Sequence, residues 1–189
     1  MKNFDLLLRS GKTIFGYSNL SLLLGTDNIN TLKSFIQRAV KQGLIQKLAN
    51  GIYALYTYDP LELAATLREK SYISLETVLQ KKGIIFQDYS NAITLVSDNT
   101  LEKQIVWKQI RFSKIKDSIL LNPIGIEYTG KYLIASAERA ICDRVYLSGE
   151  SHFDNIAGID LIRLEQIATI YNKTTLASIH KLIKDATNN

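Results

Sequence analysis

The side chains best suited to chemistry lie on one short stretch near the N-terminus. From Ile29 to Gln42, a wheel of 100° per residue puts Ile29, Leu32, Phe35, Ile36, Ala39 and Val40 on one side. Asn30, Lys33, Ser34, Gln37, Arg38 and Lys41 fall on the other. That polar side offers amide, hydroxyl, ammonium and guanidinium groups and no carboxylate. Amides and guanidinium groups match the donor and acceptor pattern of major-groove base edges, and the cations neutralise phosphates. A merely solvated face of this length ordinarily mixes both signs. Double-stranded DNA is therefore the expected partner, with these six residues as its contacts.

Catalytic constellations are scarce elsewhere. His152 and His180 lie at no metal-ligand spacing from each other or from Cys142, the one cysteine. No phosphate-cradling glycine loop and no G-x-S-x-G occurs. Cys142 falls on the apolar side of a helix, where a packed thiol is the ordinary outcome. Glu138 and Asp143 share that helix and read as partners of its dipole and of Arg139 at i+4. No catalytic residue, metal ligand or cofactor is expected, and the chain does not read as an enzyme.

The elements around the polar helix have the order of a winged helix-turn-helix. A helix over 2–9 and a brief strand at Thr13–Phe15 precede a helix capped by Ser18 and stopped by Gly25. After the polar helix, which Gly43 ends, strands at 44–48 and 52–55 flank Ala49-Asn50-Gly51. Asn-Gly between apolar runs is a strong hairpin signal, because both residues tolerate positive φ. Lys47 and Asn50 on this wing suit phosphate or minor-groove contact.

Charge sharpens the division. The chain of 189 residues carries 23 basic and 18 acidic side chains, a net +5. Residues 1–58 hold seven basic and two acidic ones, which accounts for all the excess and points to a polyanion there. Asp59-Pro60 reads as a helix start and a domain boundary. No apolar run reaches the roughly 18–20 residues of a membrane helix, and the first residues hold no signal-peptide core. A cytoplasmic protein is expected.

Residues 59–189 read as an α+β domain. Helices are expected over 60–70 and from Ser71-Tyr72-Ile73-Ser74 to Gly83. Strands follow at Ala92–Val96, Ile105–Phe112, Ile119–Leu121, Ile124–Tyr128 and Tyr132–Ile134, forming a mostly antiparallel sheet. Helices return at Ser136–Leu147, Asp160–Tyr171 and Thr175–Asp185. Lys108, Lys114 and Lys116 share strand parity with Arg111 nearby, so this sheet has either a second basic surface or an edge kept soluble by lysine.

Three segments carry a resemblance. The phrase Gly43–Tyr53 (GLIQKLANGIY), the segment Ser71–Ser74 (SYIS) and the segment Ser136–Asp143 (SAERAICD) together resemble the AbiEi family. The likeness runs from about Met1 to Tyr171. In the wing phrase Lys47 stands where arginine is usual, which keeps the charge without the bidentate fork. The resemblance implies a type IV antitoxin associated with abortive phage infection. It implies a winged helix that represses the protein's own operon at inverted repeats, and a C-terminal domain that counteracts a nucleotidyltransferase toxin without a stable complex. The residues alone also allow a plain winged-helix regulator whose second domain senses a ligand or dimerises.

Overall fold

The computed structural model describes residues 2–149 and 152–187 and separates into two compact units, Met1–Leu67 and Arg68–Asn189. The first contains α1 (Lys2–Arg9), β1 (Ile14–Phe15), α2 (Tyr17–Leu24), α3 (Ile29–Lys41), β2 (Gln46–Ala49), β3 (Ile52–Ala54) and α4 (Pro60–Thr66). Its three strands form an antiparallel sheet in the order β1-β3-β2. Leu7, Phe15, Leu20, Leu32, Ile36, Ala39, Ile45 and Tyr53 form the core beneath it.

Local signals explain most of these bounds. Asn28 caps α3, its carboxamide accepting from the Asn30 and Thr31 amides at 3.0 and 3.2 Å. At the other end Gly43 adopts φ +68° and the Leu44 amide reaches back to the Ala39 carbonyl at 2.9 Å. The start of α2 differs from expectation. Gly16, not Ser18, is the cap residue, and its amide donates to Asn19 Oδ1 at 3.3 Å. The turn between β2 and β3 differs too, since only Gly51, not Asn50, has positive φ. A register irregularity between Lys47 and Ala49 supplies local twist that a doubly left-handed turn would otherwise provide.

The boundary moves as well. Asp59 does cap α4, accepting from the Leu61 amide at 2.9 Å, but α4 belongs to the first unit. The buried Glu62 carboxylate accepts the Thr13 amide at 3.1 and 3.0 Å and the Thr13 hydroxyl at 2.6 Å. The Asp59 amide donates to Thr13 Oγ1 at 3.0 Å. The division at Leu67 adds Asp59 and Glu62 to the first unit, giving it seven basic and four acidic residues, a net +3. The second unit then holds the remaining +2. The global charge asymmetry is therefore weaker than a boundary at residue 58 implies, while the local excess on α3 is untouched.

The second unit is α+β. It comprises β4 (Ser71–Ile73), α5 (Glu76–Lys81), β5 (Ala92–Ser97), β6 (Leu101–Ile105), β7 (Lys108–Lys114), α6 (Asp117–Leu120), β8 (Ile126–Tyr128), β9 (Leu133–Ala135), α7 (Ala137–Ser148), α8 (Leu161–Ala168) and α9 (Lys173–Thr187). The strand order is β6-β7-β5-β4-β9-β8. The sheet is mixed: β6–β7, β5–β4 and β9–β8 pair antiparallel, while β7–β5 and β4–β9 pair parallel. Helices α7, α8 and α9 pack together, and α5 packs on β5 and α7.

Ser71–Ile73 is a strand in the middle of the sheet, not a helix start, and all three residues are buried. A strand covered on both faces has no alternation to distinguish it from a buried helix. Ile119–Leu121 is not a strand, because α6 begins at Asp117 after Lys116. Ile105–Phe112 is not one strand, because the chain reverses at Val106-Trp107 between β6 and β7.

Candidate nucleic-acid interface

Helix α3 is held by its apolar side. Leu32, Ile36 and Ala39 are buried and Phe35 is half-buried in the first unit's core. This fixes the rotation of the helix, and Asn30, Lys33, Ser34, Gln37, Arg38 and Lys41 are all exposed. Arg38 Nε donates to the Ser34 carbonyl one turn back at 3.2 Å, which lays the side chain along the helix. Basic Arg38 and Lys41 occupy the last turn, where they also complement the helix dipole. Ile29 and Val40, assigned to the apolar side, are 48% and 38% exposed and flank the polar face. On the hairpin Lys47 and Asn50 are exposed, one on β2 and one in the turn. Tyr53, opposite Lys47, packs edge-on against Tyr17 with ring centroids 6.2 Å apart. Burial, together with the neighbouring Tyr17 hydroxyl, pushes the Tyr53 hydroxyl up to about 12.

The second basic group is not gathered on one face. Lys108 and Lys114 share parity with Ile110 and Phe112, which are buried, whereas Arg111 lies on the opposite face of β7. Lys116 lies beyond the strand, at the start of α6. Lys108 Nζ donates to the Ser90 carbonyl, and Arg111 lies 3.4 Å from Glu102 on the neighbouring strand. The exposed Glu102, Lys103 and Gln104 of β6 line an edge of the sheet, the usual guard against edge-to-edge pairing.

The second unit instead buries a charged hub. Arg139 and Asp143 on α7 are wholly inaccessible, with Arg139 Nε 3.4 Å from Asp143 Oδ1. The carboxylate also accepts from the hydroxyls of Ser74 at 2.7 Å, Tyr171 at 2.6 Å and Tyr72 at 3.0 Å. The guanidinium donates to the carbonyls of Ile119, Asn122 and Ile124 at 2.7, 3.3 and 2.9 Å. Gly125, at φ +74°, permits this approach, since a Cβ there would lie 2.9 Å from Arg139 Cβ and from Ile167 Cδ1. Burial raises the Asp143 carboxyl above the usual carboxylate range, against the opposing pull of Arg139 and the hydroxyls. Burial likewise raises Tyr72, Tyr171 and the Cys142 thiol, so Cys142 is a packed, protonated group. This hub positions α7.

A cleft of about 460 Å³ opens where α7 begins, lined in part by Lys81, Tyr132, Ser136, Glu138 and Arg163. Ser136 caps α7 through the Arg139 amide at 3.3 Å and donates its hydroxyl to Glu138 at 2.8 Å. Among the described residues no group of three or more His, Cys, Asp or Glu side chains is arranged to hold a metal. No helix among them is long and apolar enough to cross a membrane.

Sequence reasoning missed the roles of Tyr72, Ser74 and Tyr171, which meet Asp143 only through long-range packing. It also missed the exposed Val106-Trp107 turn. A hairpin signal there is masked by the absence of glycine, asparagine or aspartate.

No family model matches the chain, and no curated protein does. Among solved structures, the crystal structure of the RV2827C protein from Mycobacterium tuberculosis is similar. It has a TM-score of 0.51 and 13% identity, over 96% of this chain and 74% of that one. At that identity the likeness is one of fold.

Proposed function

We propose that the protein is a type IV antitoxin of the AbiEi kind that represses its own promoter. In this reading the first unit is a winged helix-turn-helix: α2 and α3 form the helix-turn-helix and the β2–β3 hairpin is the wing. Helix α3 enters the major groove at inverted repeats in double-stranded promoter DNA, and Lys47 and Asn50 contact the flanking backbone. The second unit counteracts a nucleotidyltransferase toxin in the cytoplasm without forming a stable complex with it.

The observation that carries the DNA half is the exposed, acid-free face of α3. The antitoxin half is supported by the AbiEi-like segments Ser71–Ser74 and Ser136–Asp143. Both converge on the hub around Asp143, so they are read as the framework of an antitoxin domain. A plain ligand-sensing regulator is the second reading, favoured by the cleft at the start of α7, whose volume lies in the range of small-molecule sites.

The test is made with the full chain. Fluorescence anisotropy on its upstream duplex is compared with a scrambled duplex, and growth is measured with a nucleotidyltransferase toxin co-expressed. Preferential promoter binding that Arg38→Ala or Gln37→Ala relaxes, together with rescue from the toxin, is the expected result. Equal affinity for both duplexes sinks the repressor reading. Rescue failing while promoter binding persists leaves the plain regulator in its place.

A further inference from the structure

We propose that the turn between β6 and β7 is a stacking platform for unpaired bases of single-stranded RNA, with Trp107 as the plate. Ile105 and Lys108 pair across the ribbon, so Val106 and Trp107 alone make the turn. Val106 has φ +54°, a left-handed conformation that β-branched residues rarely adopt and that glycine or asparagine normally fills in such turns. Both side chains point outward, with Val106 55% and Trp107 58% exposed. A strained backbone that holds a large apolar ring in water contributes nothing to the core. Such strain is characteristic of binding sites.

The surroundings select the occupant. Lys103, which pairs with Ile110, lies on the same face of the ribbon as Lys108 and Lys114, with Asp88 near Lys108, while Arg111 lies on the other face with Glu102. Glu102 already accepts from the Gln109 amide and lies 3.4 Å from Arg111. The surplus positive charge complements a phosphate strand better than an apolar protein pocket. Lys108 Nζ sits 4.0 Å over the Trp107 ring and is tethered to the Ser90 carbonyl, so one face of the indole is already covered. A wedge driven between base pairs needs both faces, whereas a plate with one open face takes one base. Unpaired bases are presented chiefly by RNA loops and ends, where aromatic stacking is the common mode of recognition. The site is independent of α3 and of the repressor reading.

Trp107 is the only tryptophan in the chain, so intrinsic fluorescence reports on this residue alone. The full chain is titrated with an oligouridylate RNA of about twelve nucleotides, within the span of known single-strand sites. Saturable quenching is expected. Trp107→Ala should weaken binding of a labelled oligouridylate by about 5- to 100-fold, the worth of one stacked base. Trp107→Phe should retain most of that binding, and both variants should keep wild-type circular dichroism. No quenching, or undiminished RNA binding by a folded Trp107→Ala, overturns the proposal. Quenching by single-stranded DNA or by promoter duplex at equal concentration overturns the assignment to RNA. Shielding of Trp107 from acrylamide by a protein partner, with no effect of RNA, overturns it in favour of a protein site. Loss of promoter binding in Arg38→Ala with RNA quenching intact separates this site from the one on α3.

Discussion

Arg139 and Asp143 sit one helical turn apart with both side chains wholly buried, and each satisfies a different part of the second unit. Arg139 ties down the carbonyls of the 119–124 segment, while Asp143 gathers the hydroxyls of Tyr72, Ser74 and Tyr171. Removing either partner strands a charge in the interior. Arg139→Ala is expected to cost about 3–5 kcal/mol, read as a fall in thermal midpoint, before any change in DNA binding. The paired substitution Arg139→Met with Asp143→Leu should recover part of that loss. A folded Arg139→Ala protein of wild-type midpoint that has lost protection against the toxin would instead mark a functional site.

Glu62 makes a second prediction. Its carboxylate accepts both the amide and the hydroxyl of Thr13, across 49 residues of chain. Glu62→Ala leaves buried donors unmet and should lower stability by about 1–3 kcal/mol. A fragment ended at Leu67 should melt higher than one ended at Tyr58. Equal midpoints would return the boundary to Asp59-Pro60.

Salt dependence distinguishes the roles on the first unit. Lys41→Ala or Lys47→Ala should weaken binding to promoter and scrambled duplex alike, and flatten the slope of log K against log salt by about one unit per lost phosphate contact. Arg38→Ala should alter base preference at a defined position, at a cost of about 1–3 kcal/mol for a bidentate contact. A Lys47→Ala slope identical to wild type would remove the β2–β3 hairpin from the proposed interface.

The raised hydroxyl of Tyr53 gives a pH prediction. Its folded-state value is about 12 against an ordinary 10.0, chiefly because burial disfavours the phenolate. Between those values the unfolded chain releases the proton first, so the stability contributed by the neutral hydroxyl declines as pH rises through 10 towards 12. Tyr53→Phe should be less sensitive to alkali across this window. Parallel melting curves for the two proteins from pH 9 to about 12 would rule out Tyr53 as the source.

What the sequence made legible follows from periodicity and caps. The polar face of α3 stands as its wheel predicts, because Leu32, Ile36 and Ala39 are buried and set its rotation. Gly43 and Asp59 mark ends as their chemistry demands. The hub was half visible, since the i,i+4 spacing gave the Arg139–Asp143 pair but not the hydroxyls that arrive from Tyr72, Ser74 and Tyr171. Those contacts depend on strand order, which local pattern does not encode. Tyr72 reads as helical in the sequence because a strand covered on both faces shows no alternation. The basic strand failed for a related reason: parity put Lys108 and Lys114 together, but on the side that Ile110 and Phe112 bury.

The position of β4 carries a consequence for synthesis of the chain. It is the first strand of its unit to leave the ribosome, yet it lies between β5 and β9, pairing Ile73 in parallel with Ile134. One flank of β4 is closed early by β5, while the other waits for about sixty further residues to emerge. Throughout that interval the strand presents an open ladder, a template for pairing with another nascent chain. A premature stop anywhere before Leu133 makes that interval permanent. Truncated products of this gene should therefore accumulate as aggregates rather than as soluble fragments.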